Sequence, residues 1–118
     1  MNQAADEVRK VHPEKFVGTF AYQYTRQAPT GIVPRDNVIV RLCTIECCFA
    51  HALDDPSCER NVALMKDLND WSKICDRIYI WDYTTNYSRT CCVFPDFGVI
   101  QRNIQVFYEN NARGVYEE

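Results

Sequence analysis

Three carboxylates stand out for their spacing: Glu46, Asp82 and Glu117, set 36 and 35 residues apart. Each follows or closes a short run rich in β-branched and aromatic residues, NVIVRLCTI before Glu46, RIYIWDY around Asp82 and VY before Glu117. Carboxyl groups brought to one mouth push their pKa values apart, so one keeps a proton while its neighbour stays ionised. Hydrolysis of a glycosidic bond needs that division, an acid for the leaving oxygen and a base or nucleophile for the sugar. The competing structural readings are a solvated loop charge for Glu46, a helix-cap or turn carboxylate for Asp82, and a frayed terminal charge for Glu117.

Tyr22, Tyr24, Trp81, Tyr83 and Tyr87 fall near the same strand ends. Sugar rings present flat C–H faces that stack on aromatic planes, but aromatics also fill strands for packing alone. For Trp81 and Tyr83 both readings stand, whereas Trp71 lies on a helical stripe and belongs to the core. Arg26 and Arg41 offer the planar fork of donors that holds a carboxylate or a sugar hydroxyl. Arg41 sits between Val40 and Leu42 inside a strand, so burying it requires an acidic partner, and an internal ion pair is its structural alternative.

Seven cysteines, an odd number, argue against a disulfide scaffold. Cys43, Cys47 and His51 could be gathered round a metal, but a fourth ligand is missing and no C-x-x-C pair is present. The cysteines are expected as small core residues, His51 as a loop residue, and no metal or cofactor is expected. No Ser-His-Asp order, phosphate-cradling glycine loop or dinucleotide fingerprint appears.

The elements that must position these groups follow from periodicity. Residues 2–12 read as a helix stopped by Pro13. FVGTFAYQY (16–24) alternates large and small side chains as a strand does, and two prolines and a glycine make 25–36 a loop. Residues 37–45 read as a second strand ending at Ile45, which is what allows both Arg41 and Glu46 to face one mouth. Leu64, Leu68, Trp71 and Cys75, spaced by four, three and four, form one face of a helix that begins after Pro56 and stops at Asp76. Residues 77–83 give a third strand, and 84–97 a long loop with Asn86, Cys91, Cys92 and Pro95. Val99, Ile100, Ile104, Phe107 and Tyr108 mark a last helix, with Gly114 as its C-cap and a fourth strand opening at Val115 and Tyr116.

Strands alternating with helices predict an α/β fold, part of a (β/α) barrel with about four parallel strands and amphipathic helices. In such barrels chemistry sits on the loops after the strands, which is where the three carboxylates fall. A whole barrel takes about 250 residues; at 118 residues this chain is expected to be a single fragment of one, inactive alone and prone to self-association through open sheet edges. Hydrophobic residues at 47% and charged residues at 25% suffice for a packed core. Thirteen basic residues scattered singly against 16 acidic ones disfavour a nucleic-acid partner. No apolar run reaches the ~20 residues of a membrane span, so no membrane partner is expected, and no secretory leader is visible.

The segments AYQYTRQAP (21–29), PRDNVIVRLCTIECCFAH (34–51), DWSKICDRIYIWDYTTNYS (70–88), FPDF (94–97) and GVYEE (114–118) resemble, in order, a bacterial domain family of unknown function numbered 4838. That family is regarded as glycoside-hydrolase-like, similar to α-glucuronidase and hexosaminidase barrels, and is typical of polysaccharide-degrading bacteria. The resemblance implies a carbohydrate substrate and a periplasmic or extracellular setting. By position it picks out Tyr22, Tyr24 and Arg26, then Arg41, Cys43 and Glu46, then Trp81, Asp82, Tyr83 and Asn86, and finally Glu117. The chain departs from the family pattern at Glu118, where glutamine is usual, and at Cys91 and Cys92, which replace an aliphatic pair. The resulting expectation is polysaccharide or oligosaccharide hydrolysis by Glu46, Asp82 and Glu117, with Tyr22, Tyr24, Arg26, Arg41, Trp81, Tyr83 and Asn86 binding the sugar. Its alternative is a carbohydrate-binding barrel without catalysis, or an inactive truncated product.

Overall fold

The computed structural model describes residues 1–118 and is an α/β arrangement around four strands, all parallel. The strands are β1 (Val17–Ala21), β2 (Val38–Cys43), β3 (Ile78–Asp82) and β4 (Ala112–Glu117), lying side by side in chain order. The helices are α1 (Asn2–Val11), α2 (Glu59–Ser72) and α3 (Ile100–Glu109). α2 crosses from β2 to β3 and α3 from β3 to β4, as parallel pairing demands of its connections. No helix replaces the loop between β1 and β2, only a 3-10 turn at Gln23–Thr25. No helix is long and apolar enough to cross a membrane.

Alternation along each strand sorts side chains onto two faces. Val38, Val40 and Leu42 from β2 and Ile78 and Ile80 from β3 are buried on one face, against Leu64, Leu68 and Trp71 of α2 and Val106 and Phe107 of α3. Ala5 of α1 belongs to the same core, and the Asn37 side-chain amide donates to its carbonyl at 2.9 Å. The other face is bare. It carries Phe20, Arg41, Tyr79, Trp81 and Tyr116, all but the half-buried Trp81 exposed.

Element ends and one helix face differ from the sequence reading. β2 ends at Cys43, not Ile45, because Thr44 begins a turn whose carbonyl accepts from the Cys47 N–H at 2.8 Å. α2 stops at Ser72, leaving Cys75 in the turn beyond it, although Cys75 stays in the core. α3 turns Asn103, Val106 and Phe107 inward, leaving Ile104 and Tyr108 exposed. The polar Asn103 is accepted there because its Oδ1 takes the Leu53 N–H at 2.9 Å, so a loop 50 residues away decides the helix face.

The helix end differs too. Asn111, at φ 64°, takes the left-handed position after α3, a conformation asparagine tolerates. Gly114 is therefore not a cap but a residue inside β4, which starts at Ala112. A Cβ there would come 2.8 Å from Tyr79 Cε1, so glycine makes room for that ring beside the register irregularity at Ile78 and Tyr79.

Candidate functional site

At the carboxyl ends of the strands the two faces gather different groups. On the helix-covered face, the β3–β4 register sets Asp82 directly beside Glu117. Asp82 is buried, and its Oδ1 accepts from the Thr44 hydroxyl at 2.5 Å. Burial pushes the Asp82 carboxyl up, against the Thr44 hydroxyl and the Tyr83 N–H that favour its ionised form, while Asp96 adds repulsion. Glu117 is exposed along its outer side, yet partial burial of its carboxyl, then the charges of Asp82 and Asp96, push it up to about 7. Asp96 is buried just before α3, and its carbonyl accepts the Val99 N–H at 2.8 Å. These three carboxylates thus share one corner, where Glu117 can hold a proton near neutrality.

Glu46 is not in that corner. It lies in the turn after β2 and pairs with Arg26 at 2.5 Å, and the same guanidinium holds the buried Asp67 of α2 at 2.7 Å. Arg26 therefore serves an ion-pair network, with its carbonyl also accepting the Trp71 indole N–H at 2.7 Å. Arg41 finds no acidic partner. It needs none, because it is exposed and lies over the Phe20 ring, 5.7 Å from the centroid.

The bare face ends in an aromatic row. Trp81 packs between Phe20, at 5.4 Å between centroids, and Tyr116, at 4.8 Å. Its indole N–H donates to Glu118 Oε2 at 2.8 Å. The Tyr87 hydroxyl is raised to about 12, first by desolvation and then by Glu118. Tyr83 is buried, edge-on to Tyr87 at 6.2 Å and to Phe49 at 6.3 Å, and burial raises it to about 12 as well. Tyr22 stands part-exposed at the end of β1, whereas Tyr24 is 95% exposed and outside this row. Asn86 spends its Oδ1 locally, on the Ser88 N–H at 2.9 Å.

Of the groups singled out from sequence, Asp82 and Glu117 come together, and so do Trp81, Tyr83 and Tyr87. Sequence reasoning missed Asp96, although FPDF placed an acid one turn before a helix, and it missed Glu118, one strand position beyond Glu117. The group of Cys43, Cys47 and His51 that sequence reasoning set aside is not the one that gathers. Cys43 and Cys47 are buried, and the residues that gather are Cys48, His51 and Cys58, with ligand atoms all within 4.8 Å of one another. Cys48 is held below the ordinary thiol range chiefly by its hydrogen bond with His51, which is raised in turn.

The fold and these corners define a parallel β/α module whose polar groups collect at the carboxyl ends of its strands, the usual place for sites in such sheets. The chain belongs to the family described as domain of unknown function (DUF4838), whose model matches residues 1–118, the N-terminal helix included. No curated protein and no solved structure matches it.

Proposed function

We propose that this chain supplies strand-end residues of a carbohydrate-cleaving site in a (β/α) barrel. The observation that carries the reading is the Asp82–Glu117 pair on adjacent parallel strands, with Glu117 raised to about 7. A carboxyl in that range serves as a general acid at neutral pH; Asp82 beside it is itself raised, chiefly by burial, against the Thr44 hydroxyl and the Tyr83 N–H. The aromatic row of Phe20, Trp81 and Tyr116 would receive sugar rings, with Arg41 and Glu118 offering polar contacts at its side. Barrel closure by further strands would enclose the bare face and pair the free edges of β1 and β4. Glu46 has no part in the chemistry here; its carboxylate neutralises Arg26.

One observation favours a second reading, sugar binding without cleavage: the aromatic row and the Asp82–Glu117 pair lie on opposite faces of the sheet. The two readings separate in one experiment. Oligosaccharides would be assayed for both binding and cleavage with the complete barrel that contains this chain and with its Asp82→Asn, Glu117→Gln and Trp81→Ala variants. Hydrolysis predicts that each carboxyl substitution lowers turnover about 100-fold or more while binding persists. Binding that needs Trp81 but yields no product in any form would overturn hydrolysis in favour of the second reading.

A further inference from the structure

The loop from β2 to α2 carries a cluster that neither face of the sheet uses. Cys48 Sγ lies 3.1 Å from His51 Nδ1, and Cys58 completes a set whose ligand atoms are all within 4.8 Å of one another. Zn–S bonds of about 2.3 Å and Zn–N bonds of about 2.0 Å place the ligand atoms of a tetrahedral set about 3.5–3.8 Å apart, so small side-chain adjustments would close this set on an ion. Two sulfurs and an imidazole suit zinc and exclude magnesium or calcium, which take oxygen ligands.

The backbone beneath the cluster is already fixed. Asn61 of α2 is wholly buried, and its Oδ1 accepts the Cys48 N–H at 2.8 Å. Its amide nitrogen donates to the carbonyls of Cys48, His51 and Ala52, each at 3.0 Å. One side chain thus pins both ends of the Cys48–Ala52 turn to the helix that begins just after Cys58. Cys58 is the N-cap of that helix, so its position relative to the turn is set by the same element. His51 is exposed and both cysteines are half-buried, so an ion has a path in, and water can take the fourth position.

We propose that Cys48, His51 and Cys58 form a binding site for a zinc ion that locks the loop between β2 and α2. Binding releases the thiol protons to solvent and leaves two thiolates on the metal. The ion would fix Phe49, the neighbour of Cys48, against Phe94 at 4.9 Å and Tyr83 at 6.3 Å, which couples the loop to the aromatic strand ends. This site stands independently of the carbohydrate reading.

The test uses the reduced protein with zinc alone, titrated against a chromogenic chelator. One ion should bind per chain, and cobalt in its place should show a thiolate-to-metal charge-transfer band. Cys48→Ser, His51→Ala and Cys58→Ser should each weaken zinc binding by at least about 100-fold, more than the loss of an outer-shell partner. Cys91→Ser and Cys92→Ser should leave it unchanged. Should a variant misfold, mass mapping of alkylated cysteines in the unsubstituted protein decides: zinc should shield Cys48 and Cys58 while the exposed Cys91 and Cys92 still react. Absence of bound zinc, unaltered alkylation at Cys48 and Cys58, or zinc retained through all three substitutions would each overturn the proposal.

Discussion

On its helix-covered face the sheet runs from Val40, Leu42 and Ile80 up to Asp82 and Glu117, whereas on its bare face Phe20, Trp81 and Tyr116 lead to Glu118. Glu117 and Glu118 are neighbours of one residue type, yet strand parity sends them to opposite environments. The first meets other carboxylates and is pushed up to about 7. The second receives the Trp81 indole N–H. The pleat, more than the residue type, assigns the chemistry.

The largest expected effect tests whether the faces divide stability as they divide chemistry. Ile80→Ala empties a fully packed position and should destabilise the fold by about 2–5 kcal/mol. Trp81→Ala, one residue along, removes two ring contacts on the bare face and should cost about 1–2 kcal/mol. Urea unfolding measures both, and equal losses would break the distinction.

A smaller effect concerns pH. The Glu117 carboxyl is raised to about 7 from an ordinary 4.5, so between these values the folded chain keeps a proton that the unfolded chain has released. Stability attributable to this group is therefore undiminished below about 4.5 and falls as pH rises towards 7. Glu117→Gln should flatten that fall in a series of unfolding midpoints, while Glu118→Gln should leave its slope as it was. A reversed pattern would assign the crowded corner to the wrong glutamate.

The smallest effect sharpens the bare face itself. Gly114→Ala sets a methyl group 2.8 Å from the Tyr79 ring, which is part-exposed and can swing aside, so the cost should be about 1 kcal/mol. Combined with Tyr79→Ala, the same substitution should cost almost nothing, and a double-mutant cycle of thermal midpoints would show the coupling.

Much of this fold is legible in the sequence because periodicity is local. The β-branched run at Val38–Cys43 and the four-three-four stripe from Leu64 to Cys75 announce a strand and a helix without help from elsewhere. The inner face of α3 was not legible: Ile104 and Tyr108 are as apolar as Val106, and the choice falls to Asn103 and its distant partner Leu53. The site divides in the same way. Even spacing brings out Asp82 and Glu117, since parallel strands in chain order repeat their ends at one level. Glu46 shares that spacing but is drawn off by Arg26 and Asp67, a pairing that no local pattern reveals. Cys48 and His51 are likewise brought beside Cys58 by the buried Asn61, which ties the Cys48–Ala52 turn to α2, a link that no local pattern shows.

The order of the strands has a consequence for how the chain is made. Each strand docks on the edge left by the one before it, and none must be inserted between two already in place. A ribosome releases the N-terminus first, so β1 and β2 can register before β3 has been synthesised, and α2 can close over them while β4 is still to come. Assembly in step with translation thus adds each new strand to a single growing edge.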